Sequence, residues 1–137
     1  MRPVGRVAEL GSLGIMRSAA IILLFLIFAG CSRSSSVLWE DGNYRVYSRP
    51  ASGEVIMGYY MGDGAVMGLS EPTVTGAGSD ARFVTFKTDA DNRPVLFYYI
   101  EKKPNGAGEV SGPYSAGEYP AIQKAKMLPP HTWNTRL

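Results

Sequence analysis

The stretch Val95 to Lys102 reads Val-Leu-Phe-Tyr-Tyr-Ile-Glu-Lys. Side chains of an extended chain alternate between faces, so Val95, Phe97 and Tyr99 share one face and Leu96, Tyr98 and Ile100 the other. Both faces are apolar. A strand of that kind is buried on both sides, which places it inside a sheet rather than at a solvated rim. Ala81 to Thr88 (Ala-Arg-Phe-Val-Thr-Phe-Lys-Thr) precedes it across Asp89-Ala90-Asp91-Asn92-Arg93-Pro94, a run of turn-forming residues. The two segments predict an antiparallel hairpin at the centre of a sheet, and its second face needs a cover.

The rest of the chain also reads as β-structure. Tyr44-Arg45-Val46-Tyr47, after Asp41-Gly42, is expected as a first strand, and Arg49-Pro50-Ala51-Ser52-Gly53 as a turn. Glu54 to Met61 places Val55, Met57, Tyr59 and Met61 at a repeat of two, the signature of a half-buried strand. Ala65 to Leu69 and Thr73 to Ala77 are shorter, interrupted by Gly62, Gly64, Gly68 and Pro72, and are expected as edge strands or loop. Aromatic, Val and Ile residues dominate the apolar positions, as a pleated surface favours.

The C-terminal segment is the natural cover. Pro104-Asn105-Gly106-Ala107-Gly108 turns the chain, Glu109-Val110-Ser111 is a candidate return strand, and Gly112-Pro113 reads as a turn feeding a helix. Ser115-Ala116-Gly117-Glu118 fits a capping box. Tyr119, Ile122 and Ala125 form one helical stripe, Lys124 and Lys126 suit the C-terminal dipole, and Pro129-Pro130 stops the helix. Pro120 would be the fifth helical residue if Ser115 were the cap, which argues for a start one turn later. The expected class is α+β: a small, mainly antiparallel β-sheet with one C-terminal helix.

The single cysteine, Cys31, follows an unbroken apolar run from Ala19 to Ala29 in the order Phe28-Ala29-Gly30-Cys31, with Arg17 ahead of the run and Ser32-Arg33-Ser34-Ser35-Ser36 behind it. A helix of that run would rise only ~16 Å, about half of a ~30 Å hydrocarbon core, so it suits a signal segment better than a membrane span. The order resembles the lipobox of bacterial lipoproteins. The resemblance implies cleavage before Cys31 and diacylglycerol on its sulfur. It further implies a chain held in the bacterial cell envelope by lipid, on the periplasmic face of the outer membrane if the cell is Gram-negative, because Ser32 is not an inner-membrane retention residue. Phe28 stands where that family usually has Leu. The expected layout is a signal peptide over 1–30, starting at Met1 or at Met16, the lipidated cysteine and serine tether over 31–37, a single β-rich domain over 38–128 and a loose Pro-rich tail over 129–137.

Taking Arg2, Arg6, Arg17 and Glu9 out of the 14 basic and 12 acidic residues leaves the remainder formally neutral. No nucleic-acid partner is expected from that balance. One cysteine excludes an intrachain disulfide. His131 is the only histidine, too little for a metal centre or for a serine nucleophile's base, and no Gly-x-Ser-x-Gly occurs. Asp89-Ala90-Asp91-Asn92 lacks the glycine and distal glutamate of a calcium loop. The glycines at 58, 62, 64 and 68 do not link a strand to a helix as a phosphate loop does. The expectation is therefore a non-enzyme without cofactor or metal.

Tyr98-Tyr99-Ile100-Glu101, then Gly112-Pro113-Tyr114-Ser115 and Glu118, resembles the end of GYF-type modules and of several small bacterial lipoproteins over about a quarter of the chain. GYF-type modules bind proline-rich peptides on aromatic surfaces, so the resemblance implies a ligand mode and no catalytic residue. Tyr59-Tyr60 and Tyr98-Tyr99 each send one ring to each face. With Tyr114 they are the candidate partner surface, since exposed tyrosines bury a large area at low entropy cost; the competing reading puts them in the core. The expected role is non-catalytic binding or scaffolding of an envelope protein or peptide. The alternative is an inhibitor or immunity lipoprotein that neutralises a toxin or cell-wall hydrolase.

Overall fold

The computed structural model describes residues 35–135. They form two antiparallel sheets and one short helix. The first sheet holds β1 (Ser36–Asp41), β2 (Tyr44–Ser48), β3 (Val55–Gly62) and β4 (Ala65–Gly68), side by side in chain order. The second holds β5 (Val74–Ser79), β6 (Phe83–Thr88), β7 (Leu96–Glu101), β8 (Val110–Ser115) and β9 (Trp133–Asn134), in the order β8-β7-β6-β5-β9. The helix α1 spans Tyr119–Lys126.

The expected central hairpin is β6 and β7, in register from Phe83↔Glu101 to Thr88↔Leu96. Its two apolar faces enter different cores. Val84, Phe86 and Ile100 face the first sheet and pack with Tyr44, Val46, Met57, Val74 and Ala77. Phe83 and Tyr99 face the other way and pack with Tyr119 of α1 and Leu128, flanked by Phe97, Tyr114 and Ile122. The C-terminal segment is the cover that the doubly apolar strand required. Phe86, Val84 and Ile100 have no exposed surface, and burial of this order contributes about 1.5–3 kcal/mol per large side chain.

Turn chemistry sets the first sheet. Gly42 at φ 59 opens the two-residue turn between Asp41 and Tyr44, as a type II′ hairpin requires. Asp63 and Gly64, at φ 54 and 78, join β3 to β4 as a type I′ hairpin. Of the glycines that interrupt the sequence pattern here, Gly64 is part of the turn, while Gly62 and Gly68 are the last residues of β3 and β4.

Several expectations are corrected. β1 precedes the expected first strand and takes in Ser36 and Val37, which the serine tether was to contain. Its register slips between Val37 and Trp39, which hides its alternation. Thr73–Ala77 is neither edge nor loop: β5 is buried from Val74 to Gly78 and lies between β6 and β9. A bulge between Val74 and Gly76 destroys its period of two. Gly112 and Pro113 lie within β8, where both stand opposite Tyr98 in a register shift. The Ser115–Glu118 contact exists, with the Ser115 hydroxyl accepting from the Glu118 N–H at 3.1 Å. It forms a turn ahead of α1, whose first residues are Tyr119 and Pro120. Ala125 is exposed, so the buried stripe is Tyr119 and Ile122.

Helix α1 stops before the prolines. Met127 turns left-handed at φ 54, while Leu128 N–H donates to Gln123 C=O at 2.9 Å and Met127 N–H to Lys124 C=O at 3.4 Å. This is a Schellman stop, with Leu128 folded into the second core. The segment beyond is no loose tail. Thr132 N–H donates to Ala77 C=O at 2.9 Å, Trp133 and Asn134 pair with β5, and Thr135 N–H donates to Thr75 C=O at 3.0 Å. Gly78 permits the approach, because a Cβ there would overlap the Pro130 carbonyl.

Candidate functional site

The five tyrosines of the expected surface occupy three separate places. Tyr59 meets Tyr44 edge-on at 5.1 Å and Tyr98 stacks on Phe86 at 4.8 Å, and both pack against the core between the sheets. Tyr60 lies on the other face of the first sheet, beneath the Arg45 guanidinium at 4.1 Å. Tyr99 and Tyr114 are brought together on the helix side of the second sheet, rings parallel at 6.0 Å, with Lys126 Nζ 5.5 Å from the Tyr99 ring. A hydrogen bond from Ser111 leads the causes that hold the Tyr99 hydroxyl below the usual phenol range, with Tyr114 and Lys126 adding to it. Desolvation, then Tyr99, pushes the Tyr114 hydroxyl up. Cys31 lies outside the described residues.

Tyr99 borders a hollow of about 320 Å³ with Glu101, Lys102 and Ser111, and Tyr98 reaches a larger one. A groove of about 580 Å³ runs between the β4–β5 connection and the β6–β7 turn. One wall is Leu69, Ser70, Glu71 and Pro72; the other is Arg93, Pro94, Leu96 and Tyr98, with Pro113 of the β8 bulge at its end. Three prolines contribute no N–H, Leu and Tyr side chains supply apolar contact, and Glu71 and Arg93 place one charge of each sign within it. Such a mixture orients a ligand by few polar groups on a mainly apolar floor. Apart from Tyr98, sequence reasoning did not select these residues. Pro72, Pro94 and Pro113 read there as punctuation, and only the meeting of two connections from different sheets makes them a wall.

His131 is half-buried rather than loose. Its ring stacks on Phe97 at 6.1 Å and Tyr119 at 6.4 Å, and Phe97 stacks on Tyr119 at 4.6 Å. Its Nε2 and the Tyr119 hydroxyl are both buried without a hydrogen-bond partner. Burial, helped by the Lys87 charge, lowers the His131 pKa to about 4, and burial raises that of Tyr119. The imidazole is thus neutral at pH 7 and sits within an aromatic stack. No group of three or more His, Cys, Asp or Glu side chains is placed to hold a metal ion among the described residues.

Comparison of the chain with protein-family models, with curated proteins and with solved structures finds no match.

Proposed function

We propose that this is a lipid-anchored protein of the bacterial cell envelope with a non-catalytic binding or scaffolding role. The anchor rests on Phe28-Ala29-Gly30-Cys31 and the serines behind it. The binding role is carried by the groove between Leu69–Pro72 and Arg93–Tyr98. The neutral, stacked His131 supports the non-catalytic reading, since the chain's one imidazole is half-buried against Phe97 and Tyr119. The likeness to GYF-type modules favours an extended, proline-rich peptide as the ligand class, and Tyr98 supplies the aromatic contact that such a peptide uses.

Two arms test this reading. Mass spectrometry of protein extracted from membranes should find Cys31 as the N-terminal residue bearing diacylglycerol, and Cys31→Ser should accumulate as uncleaved precursor. A mature N-terminus elsewhere, or a free Cys31 thiol, removes the anchor. Full-length protein should bind a proline-rich peptide with loss on Arg93→Glu and Leu69→Arg, and should turn over no peptidoglycan, peptide or ester. Reproducible hydrolysis abolished by changing one acidic residue removes the binding role.

A further inference from the structure

We propose that the chain forms a two-fold dimer by pairing strand β4 with β4 of a second copy, joining two four-stranded sheets into one of eight. The inference concerns the edge of the first sheet, which adjoins the groove at Gly68 and Leu69, and does not depend on the lipid anchor.

Strand β4 is the outer strand of its sheet, and all four of its residues are exposed, Val66 at 36% and Met67 at 39%. The direction of its backbone groups follows from the ladder with β3. Leu69 N–H donates to Met57 C=O at 2.8 Å, and Tyr60 N–H points away to Asn43 C=O at 2.7 Å. Hydrogen-bonded pairs alternate along an antiparallel ladder, so Met67, paired with Tyr59, faces β3. Val66 and Gly68 therefore turn their N–H and C=O groups outward, to the side of β4 where no strand lies among the described residues.

The other sheet edges are blunted. β1 carries a register slip and ends in Glu40 and Asp41, β8 carries Pro113 and a bulge, and β9 is two residues long. Charges, prolines, bulges and shortness are the usual defences of an edge. β4 is short, and that is its sole defence: from Gly64 to Ser70 there is no charge and no proline.

The sequence of this edge is self-complementary. An antiparallel pairing centred on Val66 sets Val66 against Val66 of the second copy, Ala65 against Met67, and Gly68 against Gly64. The two Val66 residues are then a hydrogen-bonded pair exchanging both N–H···O=C bonds, and each Gly68 N–H meets a Gly64 carbonyl. Small stands opposite large at Ala65 and Met67. Gly64 N–H is already held by the Tyr60 hydroxyl at 3.3 Å, so the ladder ends there. The flanking acids Asp63 and Glu71 stay apart, because this register levels Asp63 with Leu69 of the second copy. A two-fold axis through one residue is the simplest closed assembly, and here it satisfies the outward groups of β4 without burying a charge.

The test is sedimentation equilibrium of the full chain in density-matched detergent. The expected result is a mass twice that of the protomer, whose own mass is read by mass spectrometry of the same sample. Val66→Lys, which brings like charges face to face, should weaken the dimer about tenfold or more, and Val66→Pro, which removes an outward N–H while sparing the β3 ladder, should do the same. Circular dichroism should show both variants folded. Val66→Cys in a Cys31→Ser chain should give a disulfide mapped from residue 66 to residue 66. A monomer at every accessible concentration overturns the proposal. So does a dimer indifferent to both Val66 variants, or a monomer that instead takes up a synthetic 64–70 peptide.

Discussion

Lys102 Nζ donates to Asp41 Oδ2 at 2.6 Å, and the same ammonium donates to the Asp80 carbonyl at 2.6 Å. One side chain thereby ties the end of β1 in the first sheet to the β5–β6 connection of the second. The pair is partly solvated, with the Lys102 side chain 23% and the Asp41 side chain 38% exposed.

Lys102→Met should destabilise the fold by about 1 kcal/mol, less than a buried charged hydrogen bond because water reaches Asp41. The Lys102 hydrogen bond, followed by that of Ser79, holds the Asp41 carboxyl below its usual range. A depressed carboxyl stabilises the fold above its ordinary pKa, and that contribution is lost as pH falls through the folded value. The gap between wild type and variant in urea unfolding should thus be full at pH 7 and shrink below the ordinary Asp range. A gap independent of pH would remove the pair from the stability of the fold.

His131 acts in a separate window. Its folded pKa of about 4 lies below the ordinary 6.5, so the unfolded chain takes up a proton first. Stability should be complete above pH 6.5, fall by up to ~1.4 kcal/mol per pH unit between 6.5 and 4, and level off below. His131→Gln should flatten that slope, as read from urea midpoints at pH 7, 5.5 and 4.5.

The two cores should respond unequally to ring removal. Phe86 has no exposed surface, and Phe86→Ala should cost about 3–5 kcal/mol. Phe97 is only half-buried, beside Tyr119 and His131, so Phe97→Ala should cost about 2 kcal/mol. Its fingerprint should be loss of protection from hydrogen exchange in α1 and β9, with β2 and β3 unaffected.

Met127 holds a left-handed conformation that ordinarily favours glycine, and its side chain is 82% exposed. Met127→Gly should therefore stabilise the fold by about 0.5–1 kcal/mol. Thermal unfolding would show it as a rise in midpoint, whereas Met127→Val should lower it.

The β6–β7 hairpin was legible because a local rule, alternation, marks both faces of Leu96 to Ile100 as apolar, and one strand with two apolar faces demands two covers. Helix α1 was legible as a stripe with a basic end, and Pro120 argued for the later start that Tyr119 has. Asp63-Gly64 also carried a legible hairpin signal, obscured by reading glycines as breaks. β5 was not legible, because its bulge at Thr75 scrambles the period, its edges are paired by β6 and β9, and Val74 and Ala77 are buried by residues distant in sequence such as Val46 and Met57.

Local steric and polar preferences act over a few residues, so turn sites, strand periodicity and the helix stop are written into the chain wherever Gly, Pro and alternating apolar residues occur. Pairing across long sequence separations is decided by packing. Trp133 and Asn134 become a strand only because β5 offers an open edge and Gly78 lets Pro130 come close. The same packing sorted five tyrosines into three environments and turned Pro72, Pro94 and Pro113 into the walls of one groove. It also half-buried His131, whose neutrality at pH 7 follows from its desolvation beside Phe97 and Tyr119 and from the Lys87 charge.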